Sequence, residues 1–249
     1  MSTANTWVQC TPQPSPRARL LCFPYGGGGA SYFRPWQELL GEEIEVCAIQ
    51  LPGREGRYSE PRLRRIEPLL QMLNDELAPL LQGPPVHLFG YSLGAGVAHA
   101  FAAQCLRDDT QANIRSLIAC ACSASVNDRR NTETYTDESF LAFIDSLGGL
   151  PATVMANPGL RAIALGILRD DFTLAESINL ADADPISIPV IALGGDCDPS
   201  VSVVGLEAWR HKTTASFERQ LYSGDHFFFN QHAPSVLAHI KEYVLRIAD

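Results

Sequence analysis

The chain has 249 residues, 46% of them hydrophobic and 19% charged, a balance that suits one globular domain or one domain with a large insertion. Its net charge of −9 argues against nucleic acid as a general partner. No apolar run approaches the roughly 18–20 residues needed to cross a bilayer, so no membrane segment is expected.

In chain order, residues 1–17 are polar and proline-bearing and lack the charged-then-apolar pattern of a secretory signal. They are expected to form a loose arm before a single domain over residues 18–249. Short apolar runs rich in β-formers then alternate with longer amphipathic stretches. Strands are expected at residues 19–23 (RLLCF), 44–49 (IEVCAI), 86–89 (VHLF), 114–121 (IRSLIACA), 188–193 (IPVIAL) and 216–222 (SFERQLY). Most are almost continuously apolar, as in a parallel sheet buried on both faces. Helices are expected at residues 32–40, 62–81, 92–107, 203–211 and 233–247. This alternation implies an α/β fold with a mostly parallel central sheet flanked by helices. From about residue 125 to 183 the pattern is helical only, too long for a simple crossover, and reads as a helical lid inserted over one end of the sheet.

The seven cysteines are odd in number, and Cys22, Cys47, Cys105, Cys120 and Cys122 sit inside apolar runs. That usage points to reduced, buried thiols and a cytoplasmic setting rather than a disulfide framework. Cys120 and Cys122 have no second ligand pair nearby, so no metal site is expected. Arg54, Arg57, Arg62, Arg64 and Arg65 form a basic cluster in an acidic chain. It reads either as a solvated helix face with its counter-charges or as a docking surface for an acidic partner.

The chemistry centres on Gly90-Tyr91-Ser92-Leu93-Gly94 between a strand and a helix. Glycines on both sides suit a strained elbow that lifts Ser92 to the carboxyl edge of the sheet as a nucleophile, with the Leu93 amide at a helix N-terminus placed to stabilise an oxyanion. A serine needs a base, and His226 in LYSGDHFFF follows the last strand on the same edge. His87 and His99 flank the elbow within its own strand and helix, while His211, His232 and His239 belong to surface helix segments. The loop GGDCDPS after the strand at 188–193 offers Asp196 and Asp198. Asp198, further out on the turn, is the expected triad acid, and Asp196 is expected to shape the turn. The glycine run Phe23-Pro24-Tyr25-Gly26-Gly27-Gly28-Gly29 lacks the Lys-Ser/Thr of a phosphate loop. Its bare amides can supply the second oxyanion donor, Gly26 first and Gly27 next.

The stretches LLCFPYGGGGASYFRPW, VCAIQLPGREGRYSEP, FGYSLGA, TDESFLAFIDSLGGLP, LRDDFTLAE, GGDCDPSVS and SGDHFFF together resemble the type II thioesterases of polyketide and non-ribosomal peptide synthesis. The resemblance covers residues 19–243 and implies an α/β-hydrolase fold. It implies hydrolysis of stalled or wrong acyl groups from the phosphopantetheine arm of acyl or peptidyl carrier proteins, with no cofactor beyond that arm. The family's triad falls on Ser92, Asp198 and His226, its oxyanion amides on Gly26 and Leu93, and its lid on the insertion. One departure stands out. The early loop of the family reads Pro-His-Ala-Gly-Gly, whereas this chain has Pro24-Tyr25-Gly26-Gly27-Gly28, which puts Tyr25 and Gly27 forward as substrate contacts. A general carboxylesterase or lipase, an acyltransferase with the same triad, and a non-catalytic binding scaffold are the alternatives.

Overall fold

The computed structural model describes residues 6–108, 113–125 and 131–248. Seven strands form one sheet: β1 (Val8–Cys10), β2 (Ala18–Phe23), β3 (Ile44–Ile49), β4 (Val86–Tyr91), β5 (Ile114–Cys120), β6 (Val190–Gly195) and β7 (Phe217–Tyr222). Their spatial order is β1-β3-β2-β4-β5-β6-β7. β1 runs antiparallel to β3, and every other neighbouring pair is parallel. Every residue of β3, β4 and β6 is buried, Glu45 and His87 included, which is why these segments read as almost continuous apolar runs. β7, at the edge, is only partly buried and carries Glu218, Arg219 and Gln220.

Helices cover both faces: α1 (Trp36–Leu40), α2 (Ile66–Leu77), α3 (Leu93–Arg107), α4 (Asp137–Ser146), α5 (Ala152–Ala156), α6 (Pro158–Ser177), α7 (Val203–Glu207) and α8 (Phe229–Ala248). The alternating side chains of the strands divide the interior in two. Leu21, Phe23, Leu88 and Leu117 pack with α2 and α3, while Leu20, Cys22, Phe89 and Ile118 pack with α1 and α8. α2 buries Ile66, Leu69, Leu73 and Leu77, a stripe at helical spacing. It starts later than residue 62, because Arg65 is extended and the Ile66 N–H donates to Ser177 Oγ of α6 at 3.0 Å. α8 begins earlier than residue 233, with a break at non-helical His232 just before Pro234.

Two expectations need correction. The loose arm contains β1, held because Trp7 and Val8 are buried against the sheet; a run as short as Val-Gln-Cys leaves too little pattern to read. The thiols are also not all reduced, since Cys10 and Cys47 form a disulfide. The register explains the bond. Gln50 N–H donates to Trp7 O and Thr11 N–H to Val46 O, so the directly opposed Cys10 and Cys47 occupy a non-hydrogen-bonded site, where facing side chains come closest. Cys22, Cys105, Cys120, Cys122 and Cys197 take no part in a disulfide.

Between β5 and β6 the described residues form α4, α5, α6, short 3-10 turns and loops, apart from a single bridge between Ile186 and Thr213. Residues 126–130 of the expected insertion lie outside the described residues. Thr136 caps α4 through the Ser139 N–H, and Asn157 caps α6 through the Gly159 and Leu160 N–H groups, with Pro158 at the first helical position. Phe140, Ile144 and Leu168 make a small core of their own, flanked by Phe143 and Phe172. The insertion thus has internal packing separate from the two main cores. Among the described residues, no helix is long and apolar enough to cross a membrane.

Two histidines inside the main body set a pH limit on stability. Burial lowers His87 to about 4, helped by Arg115, and lowers His99 to about 4, helped by Lys212. A depressed basic pKa favours the neutral form in the native state. The stabilisation is therefore complete above the unfolded value near 6.5 and is lost as pH falls from there towards 4. Each site loses about 3 kcal/mol at pH 4. Thermal melts between pH 7.5 and 4.5 should show a steep fall in Tm that flattens in His87→Leu and His99→Leu. Parallel profiles for the variants and the wild type would refute the assignment.

Candidate active site

β4 runs into α3 through Ser92, whose φ of 52° lies in the left-handed region, as an elbow requires. The flanking glycines are steric necessities. A Cβ at Gly90 would lie 2.3 Å from Gly94 O, and one at Gly94 would lie 2.1 Å from Phe23 O. The elbow is pinned by Ser92 N–H to Cys120 O at 2.8 Å and by Ala95 N–H to Ser92 O at 3.0 Å. Leu93 opens α3, so its amide is one of the first-turn donors without a partner in the helix ladder.

The β7–α8 loop carries His226 and the loop after β6 carries Asp198, and both converge on the elbow. Ser92 Oγ lies 3.1 Å from His226 Nε2, and His226 Nδ1 lies 2.7 Å from Asp198 Oδ2. The His226 and Asp198 side chains are 6% and 1% exposed, so water does not compete for the pair. Burial works against ionisation of Asp198. Even so, hydrogen bonds from His226 and Ser200 hold its carboxyl below the usual carboxylate range. Its Oδ1 accepts from Ser200 N–H at 2.8 Å, Ser200 Oγ at 2.8 Å and Val201 N–H at 3.2 Å, leaving Oδ2 for the imidazole. Asp196 takes no part in this line and instead accepts from the Gly224 N–H at 3.0 Å, as a residue shaping the turn.

Two contributors were not apparent from sequence. The Tyr91 hydroxyl donates to His226 O at 2.7 Å, fixing the backbone of the base from the elbow itself. Ser200 Oγ lies 3.1 Å from His226 Nδ1 as well as on Asp198. The aromatic in Gly-Tyr-Ser and the serine in Asp-Pro-Ser were the only available signals, and neither spacing specifies a partner across the fold.

A chamber of about 470 Å³ opens beside the serine, lined by Ser92, His226, Phe172, Ile178, Leu180 and Val201 among others. Gly26 lies against α6, where a side chain would meet Asp171 and Phe172 at 3.7 and 3.8 Å, and Phe172 is part of the chamber wall. The Gly27 N–H is already committed to Asp171 Oδ2 at 2.6 Å, which leaves Gly26 as the candidate for the second donor. Tyr25 does not line the chamber. Its ring packs edge-on against Tyr32, Tyr91 and Phe227 beneath the site.

The arginine cluster is not a single exposed patch. Arg54 and Arg57 are buried at 4% and 5% exposure, paired with Asp171 and Glu60. Arg62 and Arg64 share Asp170, and Arg65 pairs with Glu67. The helix-face reading fails, because residues 54–65 precede α2 in a 3-10 turn and loop; the exposed charge is confined to Arg62, Arg64 and Arg65, which face carboxylates of α6 and of their own segment.

Residues 18–243 match the thioesterase domain family. The gramicidin S biosynthesis protein GrsT of Aneurinibacillus migulanus is 35% identical over 238 residues, covering 92% of this chain and 90% of that protein. Among solved structures, the RedJ thioesterase of the prodiginine pathway in Streptomyces coelicolor superposes with a TM-score of 0.83 at 33% identity, covering 93% of this chain and 94% of that one. The type II thioesterase BorB of the borrelidin cluster superposes with a TM-score of 0.84 at 29% identity, over 96% and 97% of the two chains. With likeness running the length of both partners in each comparison, this chain belongs to the thioesterase family, as a type II thioesterase.

Proposed function

We propose that the protein hydrolyses acyl thioesters carried on the phosphopantetheine arm of acyl or peptidyl carrier proteins, by a serine acyl-enzyme mechanism. The observation that carries the mechanism is the unbroken line from Ser92 Oγ through His226 to Asp198 at the mouth of the chamber. His226 Nε2 takes the Ser92 proton as Oγ attacks the thioester carbonyl, and returns it to the leaving thiol. Water then loses a proton to the same nitrogen, attacks the acyl-serine and frees the acid. The ionised Asp198 holds Nδ1–H and stabilises the imidazolium. The Leu93 and Gly26 amides hold the oxyanion in both steps. The steps use these groups and water.

The carrier as partner is supported by the relatives, whose names place them in gramicidin S and borrelidin biosynthesis. Residues 125–183 are proposed to act as the lid, since Phe172 and Ile178 roof the chamber from an insertion with its own core. Rates on an acyl group presented as carrier thioester, as free pantetheine thioester and as simple oxyester test the reading. The carrier thioester should exceed the oxyester in kcat/KM by at least about tenfold, the return on remote contacts realised in the transition state. Equal rates on oxyester and carrier thioester would assign a general esterase instead. Transfer of the acyl group to an added alcohol in preference to water would assign an acyltransferase.

A further inference from the structure

The segments Gln50–Glu55 and Leu168–Phe172 are distinctive in the sequence, yet most of their polar side chains do not reach the chamber. They converge instead on the glycine loop. Asp171 Oδ2 accepts the Gly27 N–H at 2.6 Å, while Arg54 grips both carboxylate oxygens at 2.5 and 2.7 Å. Gln50 Oε1 accepts the Ala30 N–H at 3.0 Å, and Glu55 accepts from the amide and hydroxyl of Ser31. The Gly28 N–H closes a turn on Tyr25 O at 2.9 Å. The amides of Gly27, Gly28, Ala30 and Ser31 are therefore taken, whereas those of Gly26 and Gly29 have no acceptor among the described residues. Of the two it is Gly26 that lies against Phe172 of the chamber wall, Gly29 lying against Glu55.

We infer that Asp171 and Arg54 are positioning residues for the Gly26 amide, joining lid helix α6 to the oxyanion-binding loop. The inference rests on the proposed acyl-enzyme mechanism. Gly26 and Gly27 both lack a Cβ, and Gly27 sits at φ +83°, so the peptide joining them turns at little steric cost unless something holds it. Asp171 is that hold, because it accepts the N–H of this peptide and so fixes the Gly26 Cα, from which the preceding peptide with the Gly26 N–H extends. Buried away from water, the Asp171 carboxylate loses its hydration, and the equally buried Arg54 replaces it with a two-point grip. An isolated buried pair of this kind adds little to stability compared with apolar residues of the same shape. Its value here is a fixed donor direction, set before substrate arrives.

Two double variants separate positioning from packing, because neither leaves a buried charge unpaired. Arg54→Met with Asp171→Leu removes the acceptor for Gly27. Arg54→Met with Asp171→Asn keeps a carbonyl oxygen in its place. The Met/Leu protein should retain a cooperative melt but lose roughly a hundredfold in kcat, with KM changed less than about twofold. Its affinity for a trifluoromethyl ketone analogue of the acyl chain, which forms an oxyanion on Ser92, should fall in parallel. The Met/Asn protein should recover most of both losses. Single Asp171→Asn supplies a further measurement: Arg54 claims the amide oxygen, Gly27 faces an N–H₂, and kcat falls as in Met/Leu. Wild-type kcat in Met/Leu or in Asp171→Asn, or equal impairment of the two double variants, overturns the inference, provided Ser92→Ala is inactive in the same assay. Turnover by Ser92→Ala would instead remove the mechanism on which it rests.

Discussion

Replacing Ser92 with alanine is expected to lower acyl release on the order of 10⁵–10⁶-fold while leaving the melting temperature nearly unchanged. The rate loss follows from removing the one nucleophile that, among the described residues, lies on the Nε2 side of His226. Ser92 Oγ alone stands at 3.1 Å from His226 Nε2, whereas Ser200 Oγ lies on the Nδ1 side, where Asp198 already holds the ring. Cys122 also lines the chamber, but burial pushes its thiol up to about 12, so almost no thiolate exists at neutral pH to take over. What remains is direct attack by water within the oxyanion site, a small residue of the full rate. Stability is spared because the Ser92 side chain makes no helix-capping bond, and alanine at φ 52° carries the same backbone strain as serine. Release of acyl groups from a loaded carrier, followed by mass spectrometry, gives the measurement. Turnover within about tenfold of wild type would show that another group attacks.

The reach of the sequence follows the range of the interactions concerned. The elbow was legible because a strand, a Gly-Tyr-Ser-Leu-Gly turn and a helix are consecutive, and the steric demands at Gly90 and Gly94 act within the same few residues and against Phe23. His226 and Asp198 were legible because a parallel sheet puts the ends of β6 and β7 on one edge, so chain order nearly determines neighbourhood in space. Long-range pairing was not legible. Arg54 looks like part of a basic patch until Asp171, 117 residues later, is found beside it. Cys10 and Cys47 look like unrelated thiols until the antiparallel register of a three-residue strand sets them opposite one another. Burial of a charge or a thiol is a property of the partner as much as of the residue, and a linear pattern carries no record of the partner.

The same distinction changes what the arginine-bearing segment implies about carrier recognition. With Arg54 and Arg57 buried, the segment's exposed charge is confined to Arg62 and Arg64 on Asp170 and Arg65 on Glu67, a smaller and partly matched patch for steering an acidic partner. The segment acts inward. It ties the start of α2, helix α6 and the glycine loop into one unit, through Ser177 on the Ile66 amide, Arg62 on Asp170 and Asp171 on Gly27. Any displacement of α6 would reach the glycine loop through one carboxylate, and under the proposed function a docking carrier is one source of such a displacement.

Asp198→Asn is expected to reduce kcat by about 10⁴-fold with little loss of stability, and the surroundings of the carboxylate explain why so small a change has so large an effect. An asparagine could in principle turn either end towards His226. Here it cannot choose, because Ser200 N–H, Ser200 Oγ and Val201 N–H all donate to the Oδ1 position and demand an oxygen there. The amide N–H₂ is therefore forced towards His226 Nδ1, which must accept rather than donate. Its proton moves to Nε2, the nitrogen that has to receive the proton of Ser92. The variant keeps its side-chain shape and its bonds to Ser200 and Val201, so its melt should stay within a few degrees of wild type. Labelling of Ser92 by a fluorophosphonate should slow in proportion to kcat. Asp196→Asn, which touches the Gly224 amide rather than the imidazole, should leave kcat within about threefold. If Asp196→Asn proved the more damaging of the two, the carboxylate that orients His226 would have to be reassigned.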